Sequence, residues 1–551
     1  MPRVDRQPGR LALAALAVAL AAAALFLYLK GRHLVFYADE WDFLMHRRGH
    51  GPDTFLQPQN GHLLALPIAV YKVLAATFGA VHYWPYRAVS LGALLLDAGL
   101  LFLLVRRRVG DGAALLSAVV ILFLGTGWEQ SLSAIGLIVF ISLGAGLGML
   151  LALESDRRRS DWVACGLLAV SLASFSYGLA FALAAAVEIA LGPRRRQRAW
   201  VVAAPLALYG AWLLAYGQHQ SSASYVRAAP TFVADSLGAV LASLSGLYRS
   251  HDQIGGPAFD LTWGPPLAVL FTGAVVLRLR DPAVRAAPRV WSALALALGF
   301  WTSIALVAGP GREPQSSRYQ TAGAVFVLLL VAELVRGGRL GRRGLAAGCA
   351  VVAILLTVNI PNLADGARVL TAKAQVGRAE LAAIELARDS VRPDFVPEPG
   401  PVPLLRGHFY QRVDAGSYLR AAHDFGSPAY TAPELVRAPR DARTAADLVL
   451  AAALRLAPAA AGGHGHCVAP RASPAGGAAL TVVVPPGGLL VRSAQHGPIG
   501  IALRRFGPDF AVVLPALGGG AHALAIPADA SSRPWQARLD RLTRAPRLCA
   551  L

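Results

Sequence analysis

Long apolar blocks separated by short basic stretches fill the first two thirds of the chain. A membrane-spanning helix needs about 20 predominantly apolar residues, because each residue rises only ~1.5 Å across a ~30 Å hydrocarbon core. Residues 11–29 meet that length behind Arg3, Arg6 and Arg10. Such a flank also fits a cleaved leader, but the length of the block and the lack of a small-residue cleavage site before Lys30 favour a retained anchor. Further spans are expected at 86–105, 113–127, 131–153, 199–216, 263–279, 289–308, 320–335 and 345–361. Block 162–191 is too long for one perpendicular span and short for two, so it is expected to be a hairpin that breaks between Ser174 and Gly178. Residues 63–79 carry Pro67 and Lys72 and read as an amphipathic helix on the outer membrane surface, inside an external loop spanning 30–85.

Basic clusters set the orientation. They fall at Arg106, Arg107 and Arg108; at Arg157, Arg158 and Arg159; at Arg194, Arg195 and Arg196; around Arg278 to Arg289; and around Arg336 to Arg343. If all are cytoplasmic, neighbouring clusters must be joined by an even number of crossings, which gives about eleven spans with the N-terminus inside and the C-terminus outside. The expected fold is therefore an α-helical polytopic plasma-membrane protein over 1–361. Residues 362–460 form a mixed helical extracytoplasmic segment, and 461–551 a small extracytoplasmic β-sandwich. The sandwich rests on short alternating runs at 480–484, 489–493, 499–504, 510–514 and 521–526, punctuated by Gly and Pro.

Composition narrows the class. Of 551 residues, 55% are hydrophobic and 15% charged, where a soluble domain carries about a quarter charged, so whole-chain disorder and a purely cytosolic enzyme are excluded. The net charge of +20 could point to nucleic acid, but the arginines lie in clusters between apolar blocks and do not form a basic groove. Cys165 and Cys349 fall within spans and read as packing residues. Cys467 and Cys549 bracket the sandwich and form a candidate disulfide if the tail is outside. His464, His466 and Cys467 sit in a Gly-rich loop, which is weak ground for a metal site; no metal or other cofactor is indicated, and a divalent metal stays open.

Candidate chemistry begins where the chain leaves the first span, at Tyr37-Ala38-Asp39-Glu40-Trp41-Asp42-Phe43. On a helix Asp39 and Asp42 share a face, and like charges at that spacing raise one another's pKa, which suits a proton acceptor. The alternative is a solvated acidic loop with Trp41 and Phe43 at the headgroups. Gln57-Pro58-Gln59-Asn60-Gly61-His62 follows, then Phe78-Gly79, Tyr83-Trp84-Pro85-Tyr86-Arg87 and the next span. A later turn, Ser316-Ser317-Arg318-Tyr319, precedes block 320–335, with Arg312 in the same loop. Trp128 and Glu129 occupy a short external turn. His219, His251 and Asp252 lie in an amphipathic external loop over 217–262. Asp97 lies mid-span, which is costly unless it faces the bundle interior and finds an arginine or hydroxyl there.

This layout resembles the GT-C superfamily of membrane glycosyltransferases that use polyprenyl-phosphate sugars, above all the protein O-mannosyltransferase and aminoarabinose-transferase branches. The resemblance covers residues 1–361 and is most specific over 36–108. It rests on Asp39-Glu40 after the first span, His62 opening a surface helix that ends in Phe78-Gly79, Arg87 beginning the second span, and Arg318-Tyr319 before a late one. The family's consecutive prolines after the histidine are replaced by Leu63-Leu64.

The resemblance implies a sugar transfer at the outer face. Asp39 would act as general base, with Glu40 or Asp42 orienting the acceptor or tuning Asp39. Arg318, Tyr319 and Arg312 would receive the donor phosphate, and His62, Arg87, Trp128 and Glu129 would line the substrate site. The partners implied are a polyprenyl-phosphate-linked sugar, a glycan, lipid or protein acceptor, and membrane lipids; nucleic acid is not among them. An interfacial arginine contacting headgroups is the plain alternative for Arg318. A lipid-linked-sugar transporter or flippase, or a non-catalytic membrane protein binding envelope polysaccharide, would share most of these features. The transporter requires midplane charges in two related halves, and Asp97 alone fits that description.

Overall fold

A computed structural model describes residues 9–36, 39–217, 223–251, 258–260, 262–307, 312–397, 413–461, 472–474 and 479–551. The chain divides into two compact units. The first comprises residues 1–34, 47–74 and 84–370, and the second residues 35–46, 75–83 and 371–551.

Helices occupy nearly every apolar block. In chain order they are α1 (Arg10–Gly31), α2 (Asp39–Met45), α3 (Pro52–Leu56), α4 (Ala65–Phe78), α5 (Trp84–Val109) and α6 (Asp111–Leu122). A 3-10 turn at Gly125–Gly127 leads into α7 (Trp128–Leu132), followed by α8 (Gly136–Leu153), α9 (Arg158–Ser174) and α10 (Tyr177–Ala190). Next come α11 (Arg195–Arg198), α12 (Trp200–Tyr216), α13 (Ala223–Ser245), α14 (Gly264–Leu279), α15 (Pro282–Arg285), α16 (Pro288–Ala305), α17 (Ser317–Leu334) and α18 (Arg342–Leu386). Among the described residues, six helices are long and apolar enough to cross a membrane, or seven if the bent pair α6 with the 125–132 segment is one span. Leu11, Leu214 and Val269 are 87%, 91% and 71% exposed, a surface that only lipid would cover without penalty.

The hairpin expected within 162–191 breaks at Phe175 and Ser176, between α9 and α10. Small residues let helices approach there and nearby, because in lipid the association depends on packing. A Cβ on Gly178 would stand 2.5 Å from the backbone nitrogen of Leu172, and one on Gly146 would overlap the Phe181 ring. Two expectations change. Residues 223–245, expected within an external loop, form a helix that packs on α14, α16 and α17. The final span, expected to stop at 361, continues through Pro361 to Leu386, into the segment expected to begin the mixed helical tail at 362.

Charges at the basic end of the bundle are tied together. Arg108 donates from Nε to Glu333 at 2.6 Å and pairs with Glu154. Arg107 also pairs with Glu154, and Arg289 lies 3.2 Å from Glu188 and 3.8 Å from Glu154. Asp97 is buried against Gly144, but neither carboxylate oxygen has a hydrogen-bond partner among the described residues, so the expected arginine or hydroxyl partner is missing.

In the second unit, α19 (Ala415–Phe425), α20 (Ala432–Arg437) and α21 (Arg440–Ala453) precede the strands of the tail. A hairpin of β1 (Arg249–His251) and β2 (Ala258–Asp260) belongs to the first unit. The tail strands are β3 (Pro458–Ala460), β4 (Ala472–Pro474), β5 (Leu480–Val483), β6 (Gly487–Ser493), β7 (Ile499–Arg504), β8 (Val512–Leu517), β9 (Gly520–Ile526), β10 (Gln536–Asp540) and β11 (Arg547–Ala550). They form two antiparallel sheets, ordered β4-β5-β10-β7-β8 and β11-β6-β9-β3. Strand β7 alternates buried and half-buried residues, as period-2 side chains on a one-sided core require. The buried Asp447 carboxylate on α21 accepts backbone N–H groups of Arg505, Phe506 and Gly507 at 2.8–2.9 Å, joining helix to sheet.

Candidate active site

In the first unit the site starts from a tight turn. Asn60 and Gly61 have φ of +50° and +83°, the left-handed pair that an Asn-Gly hairpin turn demands, and Gln59 and His62 exchange backbone hydrogen bonds of 3.0 and 2.9 Å across it. Arg47 holds the turn from below by donating to the Gln59 side chain at 3.2 Å and to the Pro58 carbonyl at 3.3 Å. His62 is thereby delivered to the break between α9 and α10. Its Nδ1 is hydrogen-bonded to the Ser176 hydroxyl, and its ring lies 4.4 Å from that of Phe175. The next residue, Tyr177, donates its phenol to the Arg318 carbonyl at 3.1 Å, so the helix break and the first turn of α17 are joined.

Electrostatics give this cluster its character. The His62 pKa is lowered to about 3, first by loss of hydration and then by the positive fields of Arg312 and Arg318. A neutral imidazole thus stands beside two guanidiniums, a field that opposes a further cation and favours an anion. Arg318 is exposed and lies over the Tyr319 ring at 5.6 Å, while Arg312 donates to the Val307 carbonyl at 3.1 Å. The Glu129 backbone N–H donates to Ser317 Oγ at 3.1 Å, which sets the 125–132 segment against the start of α17. His62, Glu129, Arg312, Arg318 and Tyr319 are thus parts of one neighbourhood. Trp128 is buried beside them, packed where a Cβ on Gly366 of α18 would meet its ring at 2.6 Å. Arg87 is occupied elsewhere. Its buried guanidinium donates to the Leu27 carbonyl at 2.9 Å and the Tyr28 carbonyl at 3.5 Å, capping α1.

In the second unit, α2 carries all three candidate carboxylates. They are not equivalent. Glu40 is fully buried and accepts the Tyr83 hydroxyl on both oxygens, at 2.9 and 3.1 Å. Phe36 packs edge-on against both Trp41 and Tyr83, with ring centroids 5.5 and 5.0 Å apart, so Glu40 anchors the helix within an aromatic cluster. Asp39 and Asp42, at the i, i+3 spacing, are each only part-buried. Asp42 bonds His46 Nδ1 at 2.7 Å; the other ring nitrogen lies 3.6 Å from Asp414, whose second oxygen caps α19 at the Ser417 N–H, 2.7 Å away. The hydrogen bond from Asp42, with smaller help from Asp414, raises the His46 pKa. Sequence reasoning missed His46 and Ser176. His46 stands four residues after Asp42, a spacing that could have revealed it, whereas Ser176 carries no local signal.

Cys549 is fully buried on β11, and among the described residues the free thiols are Cys165 and Cys349. Tyr37, Ala38, His219, Asp252, His464, His466 and Cys467 lie outside the described residues. Among those described, no three His, Cys, Asp or Glu side chains converge as metal ligands.

No protein-family model and no curated protein matches the chain. Solved structures similar to it include ArnT from Cupriavidus metallidurans bound to undecaprenyl phosphate, at 14% identity and a TM-score of 0.43 over 74% of this chain and 87% of that one. The apo state of the same ArnT gives 13% and 0.44 over 77% and 91%. The archaeal oligosaccharyltransferase AglB from Archaeoglobus fulgidus, in complex with an inhibitory peptide and a dolichol-phosphate, gives 14% and 0.43 over 76% and 64%. Both proteins are GT-C enzymes, the superfamily the sequence resembles. Likenesses at this level assign no residue a role.

Proposed function

We propose that the protein is a membrane glycosyltransferase that moves a sugar from a polyprenyl-phosphate donor to a hydroxyl acceptor outside the cytoplasm. One observation carries this reading: two arginines and a neutral, serine-bonded histidine surround the start of α17, a group of donors suited to an anionic headgroup. Asp39 is the general base. Its carboxylate takes the proton of the acceptor hydroxyl, and the hydroxyl oxygen bonds to the anomeric carbon. The bond from that carbon to the phosphate oxygen breaks, and the phosphate keeps the electron pair. Arg318 and Arg312 neutralise the charge that grows on it. Asp42 tunes Asp39, and Glu40 holds their helix in place.

The same reading puts the N-terminus in the cytoplasm and the tail outside. Helix α13 is one of the six helices long and apolar enough to cross; the reading requires that it does not, because a third crossing between the Arg194 and Arg278 clusters would break the even count. The catalytic test is sugar transfer in membranes containing Asp39→Asn. Transfer is expected to vanish with expression intact, and unchanged transfer removes Asp39 from the role. Arg318→Gln is expected to weaken donor binding without altering the amount of folded protein.

A further inference from the structure

Asp42 lies one helical turn after Asp39, and its charge is not left bare. His46 continues α2, with its backbone N–H on the Asp42 carbonyl at 2.9 Å, so the two side chains share a face at the i, i+4 spacing. His46 Nδ1 meets Asp42 Oδ1 at 2.7 Å, and Nε2 lies 3.6 Å from Asp414 Oδ2. Each ring nitrogen thus faces a carboxylate, a setting that favours imidazolium over imidazole.

Asp414 comes from the tail, and its position is fixed. Its Oδ1 caps α19 at the Ser417 N–H, 2.7 Å away. Burial opposes its charge, but the Ser417 N–H and His46 outweigh that and hold its carboxyl below the usual carboxylate range. Helix α19 is itself pinned. Tyr418 packs edge-on against Trp41 of α2 with ring centroids 5.8 Å apart, and its hydroxyl donates to Glu385 of α18 at 2.6 Å. At the other end the Phe425 carbonyl accepts the Ala80 N–H at 2.6 Å, and a Cβ on Gly79 would stand 2.5 Å from that oxygen. Charged neighbours on these segments are engaged elsewhere: Glu40 with Tyr83, Arg47 with Gln59, Arg420 with Ser417 Oγ at 3.0 Å, and His423 with Asp424 at 3.0 Å.

We infer that His46 is a positioning residue for the base and that Asp414 completes it: the imidazolium, held between two carboxylates, cancels the charge of Asp42 one turn from Asp39. This rests on the reading of Asp39 as general base. Two bare carboxylates at that spacing would each oppose the other's ionisation, and a protonated Asp39 cannot accept the hydroxyl proton. With Asp42 neutralised, Asp39 stays ionised to lower pH, and the tail supplies a residue on which the chemistry depends.

The test has two arms, both on the full chain in membranes. Diethyl pyrocarbonate acylates neutral imidazole, and the His46 side chain is 36% exposed, so labelling against pH, read by peptide mass mapping, gives its midpoint. That midpoint is expected above 6.5 and should fall toward 6.5 in Asp414→Asn, which keeps the cap on α19. A wild-type midpoint at or below 6.5, or one that Asp414→Asn leaves in place, overturns the inference. The second arm follows transfer from undecaprenyl phosphate carrying radiolabelled glucose, mannose, galactose or arabinose across the pH range. His46→Gln is expected to move the acid limb of kcat/KM upward by about half a pH unit, as one charge about two helical turns away does in a solvent-rich setting. Below the midpoint that is about a threefold loss, which should fade in alkali, where the wild-type ring is neutral as well. His46→Lys keeps the charge and should keep the wild-type limb. An acid limb that stays put in His46→Gln, or a loss that is the same at every pH, overturns the inference. Failure of the glycosyltransferase reading has a different signature: no transfer by the wild type, or transfer that survives Asp39→Asn, and the role of His46 then falls with the base.

Discussion

Replacing Arg108 by methionine isolates what the buried ion network does for the bundle. Arg108 and Glu333 are 8% and 5% exposed, and the guanidinium serves Glu333, Glu154 and the Leu104 carbonyl at once. Removing one partner of a buried pair costs about 3–5 kcal/mol, mostly because the other charge is left uncompensated. Here Glu333 keeps Arg336 at 3.6 Å, and Glu154 keeps Arg107 and Arg289, so the lower end, about 3 kcal/mol, is expected. Arg108→Met with Glu333→Met substitutes well-sized apolar groups for both charges and should cost no more than about 1 kcal/mol. The double variant should therefore be about 2 kcal/mol more stable than the Arg108→Met single variant. The assay is SDS-driven unfolding of the purified protein in bicelles, followed by far-UV circular dichroism. A single variant as stable as wild type, or a double variant no better than the single, refutes the reasoning.

Two histidines should impart opposite pH dependence. The depressed His62 opposes protonation in the folded chain, so its penalty on stability is absent above pH 6.5 and grows as pH falls toward 3; His62→Gln should flatten the acid limb of apparent melting temperature against pH. The raised His46 adds stability that is fully present below pH 6.5 and is lost as pH rises through its folded value, so His46→Gln should lower stability at pH 6 more than at pH 9. A bridge between Cys467 and Cys549 is expected outside the cytoplasm; intact mass of the alkylated, unreduced protein checks it, and a mass showing both thiols modified excludes it.

The sequence was most informative where one physical demand dominates. Spanning a membrane requires long apolar runs, and α1, α5, α8, α12, α14, α16 and α17 fall within a few residues of the expected blocks. The hairpin break at Phe175 and Ser176 was legible because thirty residues cannot cross once. Alternation located β5, β6, β7 and β9 well, with β7 at the expected 499–504. Competing demands defeated the same reasoning elsewhere. Helix α13 mixes Arg227 and Asp235 with apolar residues, so its pattern reads as surface loop until neighbouring helices cover one side. Proline ordinarily ends a helix, yet α18 runs past Pro361, and local propensity gave no sign of it. At the site, the residue types were legible and their division of labour was not. Glu40 and Arg87 looked as functional as Asp39 and Arg318, and only the structure shows the first two buried, against Tyr83 and against the end of α1.

Lys72 marks a limit on how far this chain's preference for arginine can go. The sequence has 52 basic residues, of which Lys30, Lys72 and Lys373 alone are lysine. Lys72 Nζ donates to the carbonyls of Arg47, Arg48 and Gly49 at 3.0, 3.1 and 2.8 Å. A tetrahedral ammonium can send three hydrogens to three converging oxygens, whereas a flat guanidinium presents its hydrogens in one plane. An arginine at this position would lose that three-way bond and leave the irregular stretch leading into the Asn-Gly turn, and so toward His62, less firmly held.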